Sequence, residues 1–137
     1  MTQHIDGTPE IFAQFVSSSH EGPLMMLNLL RFRDRAEYED GRDVSGREAY
    51  AAYAKAAAPF FAKAKGEMIW EGAPLANLIG PLDEIWDAGF IAQYQDKNSF
   101  LGMIMDDGYK AIMYHRQAAL IDSRLYAFGT SDTGVFG

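Results

Sequence analysis

The hydrophobic pattern of the chain turns on one stretch, Pro23-Leu-Met-Met-Leu-Asn-Leu-Leu-Arg-Phe-Arg33. From Leu24 to Phe32 every position except Asn28 is a large apolar residue or the Arg31 stem. Neither an alternating pattern nor a helical stripe can be drawn through it, because both faces are apolar. The run is far too short to cross a bilayer, and Pro23 marks its start. It reads as a strand buried on both sides.

The flanking segments carry clearer signals. Thr8-Pro9-Glu10 has the form of an N-cap, a proline at the first helical position and a first-turn acid. Ile11, Phe12, Phe15 and Val16 then share one helical face, which predicts a short helix over 8–18 ending at the Ser17-Ser18-Ser19 run. After the apolar strand, 33–46 is a polar loop with charges of both signs, expected to be a lid or a solvated connector. Ser45 and Glu48 fit a capping box. A helix is predicted from about Arg47 to Lys65, with Tyr50, Tyr53, Ala54, Ala57, Phe61 and Ala64 as its apolar stripe and Gly66 as its stop. Pro59 falls inside this pattern and is expected to kink or split the helix.

Glu67 to Ile79 is rich in strand formers, and the interruption at Gly72-Ala-Pro74 points to an edge strand or a bulge. Gly80-Pro81-Leu82-Asp83 is a turn signal, and Glu84 to Asp96 predicts the next strand, so the two should form a hairpin. On that second strand Trp86, Ala88, Phe90, Ala92 and Tyr94 share one face, and Asp87, Gly89, Ile91, Gln93 and Gln95 the other. Asp96 can cap a helix from Lys97 that holds Phe100, Met103 and Ile104. Asp106-Asp107-Gly108 breaks it or caps a new segment from Tyr109 to about Leu120. A last strand follows over 121–128, and the small residues of 129–137 form a tail.

After the leading helix the order is β-α-β-β-α-β in a single domain over 1–137. That is an α+β, ferredoxin-like pattern: a four-stranded antiparallel sheet with its helices on one face. The strand at 24–32 would be central in it. Helices cover one face of such a sheet, yet this strand is apolar on both, and no second layer of adequate size remains. A homodimer with two sheets face to face is the economical cover, with a ligand pocket expected between them.

Composition narrows the classes. Hydrophobic residues make up 48% of the chain, enough for a real core, and there is no cysteine. Disulfides, thiolate metal sites and a cysteine nucleophile are thereby excluded. The formal charge is −7 and no face gathers Lys and Arg, so neither nucleic acid nor an anionic membrane is an expected partner. The N-terminus lacks the form of a signal peptide, and a cytoplasmic location is expected.

Several segments resemble one family: MLNLLRFR in the 25–33 region, SGREAYAAY at 45–53, WD at 86–87, MDDGY at 105–109 and HRQAALIDSRL at 115–125. Together they are similar to the DUF1330 family, across nearly the whole chain from Leu24 to about Phe128. The resemblance implies membership of the dimeric α/β-barrel superfamily, hence the fold and the dimer, but no reaction. That superfamily includes cofactor-free monooxygenases of aromatic polyketides, muconolactone isomerases, EthD-like proteins and haem-binding enzymes of the chlorite dismutase type. Fold analogy alone, beyond what the resemblance implies, gives the first expectation: a cofactor-independent enzyme of monooxygenase or isomerase type on a small aromatic or carboxylated metabolite, with no cofactor and no metal. The alternative is a non-catalytic ligand-binding or structural homodimer.

The candidate chemistry rests on few residues. Arg116 falls within the apolar stripe of its helix, so its guanidinium must be paired. Either it makes an internal salt bridge to Asp87 or Asp122, or it anchors a substrate carboxylate or enolate. Asn28, the lone amide in the apolar strand, can hold a substrate carbonyl or a neighbouring backbone group. Trp70, Trp86, Tyr94, Tyr50 and Tyr53 supply aromatic lining for a pocket or for the core. His115, about a quarter turn off the stripe, belongs at the boundary or exposed; it could serve as a base or be a plain surface histidine. Asn28, His115 and Arg116 are thus the catalytic candidates; Asn28, Trp70, Trp86, Tyr94 and Arg116 are the ligand-binding ones. His4 and His20 share no metal-ligand spacing with His115.

Overall fold

The computed structural model describes residues 3–130. Its elements are α1 (Pro9–Ser17), β1 (Leu24–Phe32), α2 (Gly46–Lys63), β2 (Glu67–Gly72), β3 (Ala88–Tyr94), α3 (Lys97–Ile104), α4 (Asp107–Ala119) and β4 (Leu120–Gly129). The predicted tail lies outside the described residues from 131 onward.

The four strands form one antiparallel sheet in the order β2-β3-β1-β4. The apolar strand β1 is central, as its two greasy faces require. The β1-α2-β2 crossover skips one strand position, which β3 fills, and α4 returns the chain to β4 on the far side of β1. This is the α+β ferredoxin-like fold.

Local chemistry explains most boundaries. Thr8 caps α1 through Ile11 N–H, and Ser45 with Glu48 forms the reciprocal capping box of α2. Asp96 caps α3 through Ser99 N–H, and Asp106 caps α4 through Gly108 N–H. The C-terminus of α1 is held from a distance: Lys97 Nζ donates to Val16 O at 3.1 Å and also to Ser18 O. A cation there meets the carbonyl end of the helix dipole.

Three expectations are corrected. Pro59 does not split α2, one of the two effects expected of it: the helix runs on through Lys63. The proline forgoes its own N–H bond, while the flanking turns pack through Ala57 and Phe60 into the core. Second, β2 stops at Gly72 and β3 starts only at Ala88. The pair is antiparallel, with a register shift between Met68 and Trp70, but a 73–87 segment joins it in place of a tight turn. The turn signal at Gly80–Asp83 lies inside that segment, where Glu84 N–H donates to Pro81 O at 3.2 Å. Third, the 33–46 loop is no free lid: its charged residues from Asp34 to Asp43 are exposed, as a solvated connector requires, but the loop is docked at two points. Ala36 N–H donates to Val44 O, Glu37 N–H donates to Ala118 O, and Ala36 and Tyr38 are buried.

Register decides which residues face the helices. Leu24, Met26 and Leu30 of β1 stand beside Tyr94, Ala92 and Ala88 of β3, and this side packs against Ala57, Phe100, Met103 and Tyr109. The opposite side carries Met25, Leu27 and Leu29 of β1, Ile91 of β3, Trp70 of β2, and Tyr126 and Phe128 of β4. No buried cluster among the described residues includes any of them. Trp70, Tyr126 and Phe128 are exposed. Of the two faces predicted for β3, the uncovered one is therefore Gly89, Ile91 and Gln93, with Tyr94 buried beneath the helices.

Candidate functional site

The layer between helices and sheet holds a concentration of phenols around one guanidinium. Tyr50 and Tyr53, three residues apart on α2, present to the same side, with ring centroids 5.2 Å apart. Tyr109 and Arg116, two helical turns apart on α4, face them. The Tyr53 and Tyr109 hydroxyls lie 2.6 Å apart, and their rings meet edge to face. Tyr94 enters from β3, packed edge to face on Phe61 and Phe100, and its hydroxyl donates to Met103 Sδ at 3.9 Å. Asn28 stands on the same side of β1 and donates from Nδ2 to Met26 O at 3.1 Å. Neither its Oδ1 nor the Tyr50 hydroxyl has a hydrogen-bond partner among the described residues.

The electrostatics follow from the burial. Loss of water pushes the Tyr50, Tyr94 and Tyr109 phenols well above their ordinary range, and neighbouring phenols add to it. The Arg116 charge opposes the rise at Tyr50 and Tyr109, so it lies within electrostatic reach of both. These tyrosines are neutral hydrogen-bond donors at neutral pH.

Arg116 is 11% exposed at the side chain. It pairs with neither Asp87 nor Asp122, the two partners expected for it. Its Nη1 donates to Ile5 O at 2.5 Å and its Nη2 to Ser123 Oγ at 3.3 Å, while Asp6 stands 4.0 Å away. Asp87 instead accepts from Phe32 N–H at 2.8 Å. Asp122 accepts from His4 N–H, Ser123 N–H and Arg124. Burial works against the Asp122 charge, but those three donors prevail and hold the carboxyl below its usual range.

The remaining candidates lie elsewhere. His115 is half-buried, the first of the two placements expected for it, and faces the 33–46 loop: its Nδ1 lies 2.6 Å from the Tyr38 hydroxyl. Arg42 sits 4.0 Å over the Tyr38 ring and Tyr114 is 4.1 Å from the imidazole. Burial, then the Arg42 charge, lowers the His115 pKa. Trp70 is exposed on the uncovered side of the sheet, and Trp86 stacks on Arg124 at 5.0 Å. The sheet thus divides the predicted ligand-binding set: Asn28, Tyr94 and Arg116 on the helix side, Trp70 and Trp86 away from it. Sequence reasoning missed Tyr109 as a member of the cluster. Its seven-residue spacing to Arg116 was the available signal.

Two surface clefts flank the cluster without containing it. One, of about 300 Å³, lies between the ends of α2 and α3 and includes Lys63, Lys65 and Asp106. The other, of about 250 Å³, is lined by Phe32, Arg33, Asp34, Ser45, Arg47 and Asp87. Among the described residues no group of three or more His, Cys, Asp or Glu side chains is placed to hold a metal ion. No described helix is long and apolar enough to cross a membrane.

Comparison with known proteins places the chain. No curated protein matches it. The structure of the methylated RPA0582 protein is 48% identical, with 98% of this chain and 99% of that one covered at a TM-score of 0.91. A second structure of RPA0582, a protein of unknown function from Rhodopseudomonas palustris, is 46% identical over 96% and 99% of the two chains at 0.89. A dimeric protein of unknown function and ferredoxin-like fold from Bacteroides fragilis shares 10% identity over 79% and 96%, at 0.50. That level of likeness bears on the fold alone. The profile of a domain of unknown function, DUF1330, matches residues 41–128. Those residues run from the docked loop through both helix–strand crossovers to the end of β4, and with that match the chain belongs to the DUF1330 family.

Proposed function

We propose that this protein is a homodimer that binds a small carboxylated or phenolic aromatic metabolite at the phenol layer between its helices and its sheet, rather than between two facing sheets as the sequence suggested, and transforms it without a cofactor, in the manner of a monooxygenase or isomerase. The observation that carries the reading is Arg116: a nearly buried guanidinium whose carboxylate partner, the exposed Asp6, forms only a long ion pair at 4.0 Å, within electrostatic reach of the neutral Tyr50 and Tyr109 phenols. A buried cation of this kind favours an anion, and the planar fork of arginine suits a carboxylate or an enolate. The Tyr50 hydroxyl and Asn28 Oδ1, both unpartnered, supply a donor and an acceptor beside it. Neutral phenols and a guanidinium stabilise a developing oxyanion but take no proton from carbon. The substrate in this reading is therefore one that ionises readily, such as a hydroquinone or an enol.

The dimer rests on the uncovered sheet side. Met25, Leu27, Leu29, Ile91, Trp70, Tyr126 and Phe128 make a contiguous apolar face that one subunit leaves open, and a second sheet covers it. The B. fragilis protein of the same fold is dimeric. Trp70 and Trp86 belong to that seam in this reading, and Tyr94 to the ligand layer.

A second reading, a structural homodimer without ligand, is favoured by the two bonds Arg116 does make. They tie α4 to the N-terminal segment and to β4, which gives the residue a purely architectural use.

A thermal-shift screen of aromatic acids, phenols and quinones separates the two. Carboxylated members of the panel are expected to raise the melting temperature of the native chain and to lose that effect in Arg116→Gln. Conversion in air of any binder, followed by mass spectrometry, tests the catalytic half. A folded native protein that responds to no member of the panel overturns the ligand reading and leaves the structural one.

A further inference from the structure

The segment between β2 and β3 has no interior of its own. Leu75 is 100% exposed, Ile79 98%, Leu82 91% and Leu78 90%. Large aliphatic side chains are seldom left this bare, and four within eight residues form an apolar patch that water penalises. The segment nevertheless holds a defined shape: Asn77 Nδ2 donates to Pro81 O at 2.7 Å, and Glu84 N–H closes on the same oxygen at 3.2 Å. Its root is fastened to the sheet, where Asp87 N–H donates to Leu30 O and Asp87 Oδ2 accepts from Phe32 N–H.

We propose that 73–87 is an arm that docks on a second copy of this chain. This rests on the homodimer reading above and extends it by giving the arm an occupant. One observation selects the second copy, and another bears on the lipid alternative. The first is continuity. At the root Trp86 stacks on Arg124, which register places beside Leu29 on the uncovered side of the sheet. The arm therefore departs from the same side as the open apolar face, and a partner that covers one is positioned to cover both. The second is charge. The arm carries Asp83, Glu84 and Asp87 and no Lys or Arg, on a chain of net charge −7. An anionic lipid surface, the other common taker of bare leucines, is repelled by that charge; a second copy carries the same sign, so its selection rests on the continuity of the apolar faces.

The test is sedimentation equilibrium of the native chain, Leu78→Ser/Ile79→Ser and a Met105→Ser control, with a photo-crosslinking residue placed at Leu75 in a separate preparation. The arm side chains touch little in the single subunit, so the double variant is expected to keep the native circular dichroism and melting behaviour when dilute. Dimer affinity is expected to fall by about tenfold or more for each side chain removed, and not in the control. The crosslinker is expected to join two copies. A native chain that stays monomeric at micromolar concentration defeats the homodimer reading, and the arm inference with it. A native dimer whose affinity the double variant leaves unchanged, or whose arm crosslinks only within its own subunit, overturns the arm inference alone. Flotation with phosphatidylserine vesicles that the double variant abolishes while dimer affinity is unchanged assigns the arm to lipid and overturns it too.

Discussion

Gly46 closes directly onto Arg33: its N–H donates to Arg33 O at 3.0 Å, and a Cβ built at position 46 would stand 2.1 Å from that same oxygen. It would also stand 2.7 Å from Arg33 N and 2.8 Å from Ala119 O, all of them backbone atoms. Arg33 N–H in turn donates to Ala119 O at 2.8 Å. The first residue of α2, the end of β1 and the junction of α4 with β4 therefore meet at one point, with no room for a methyl group.

Gly46→Ala is expected to destabilise the chain by about 3 kcal/mol, because none of the three atoms it strikes can swing aside. Urea denaturation of the variant checks this. Gly102→Ala is the control: no atom lies within 4 Å of a Cβ there, and the position is inside α3, so that variant is expected to be neutral or slightly stabilising.

Lys65 ends α2 in a left-handed conformation, with φ at 55°. Gly66 N–H donates to Phe61 O and Lys65 N–H to Ala62 O, the paired bonds of a Schellman turn. The residue in the left-handed position is the lysine, one place before the glycine that the sequence offered as the stop. Relief of the Cβ strain outweighs the backbone entropy that glycine loses on folding, so Lys65→Gly is expected to stabilise by about 0.5–1 kcal/mol. Thermal melting of the pair of proteins measures it.

The parts of the fold that were legible in the sequence are those set by neighbours along the chain. Ser45 and Glu48 spelled the start of α2, and Asp96 and Asp106 the starts of α3 and α4. The doubly apolar run from Leu24 to Phe32 located the central strand and, with it, the sheet order. What stayed hidden depends on residues far apart in sequence. The partners of Arg116 are Ile5 O and Ser123 Oγ, and the first comes from a segment with no pattern to mark it. On β3 the alternation pointed the right way, since the more apolar face with Phe90, Ala92 and Tyr94 is the covered one; on β1, apolar on both sides, only the register that pairs Leu24 with Tyr94 and Leu27 with Ile91 decides. The 73–87 arm misled because its leucines and isoleucines have strand-like composition while satisfying no partner in their own subunit.

The Tyr38 to His115 contact makes the docked loop sensitive to acid. The folded state lowers the His115 pKa, by burial first and then by the Arg42 cation, so the unfolded chain binds that proton more tightly. The stability this contributes is present above the unfolded value of about 6.5 and is lost as pH falls through it toward the folded value. Asp40 remains ionised throughout, since its hydrogen bonds from Arg42 hold its carboxyl at about 2. Urea midpoints are expected to fall between about pH 7.5 and 5, and His115→Gln to flatten that part of the curve. An imidazole proton resonance of His115 that titrates above about 6.5 contradicts the assignment.

The phenol layer makes the opposite prediction at high pH. Tyr50, Tyr94 and Tyr109 have raised pKa values, from burial first and then from adjoining phenols, so the fold prefers their neutral forms. Their stability contribution is whole below the unfolded value of about 10 and is lost as pH climbs above it. Of the seven tyrosines, these three are expected to ionise only when the structure opens. Phenolate absorbance should then rise in two phases, the second coincident with the loss of circular dichroism. Tyr53→Phe strips Tyr109 of its hydroxyl partner at 2.6 Å and is expected to cost about 1–2 kcal/mol. The same titration bears on the ligand site. If all three phenols ionise freely in the folded chain, water reaches the layer, the Arg116 charge is screened there, and the attraction it exerts on a carboxylate shrinks accordingly.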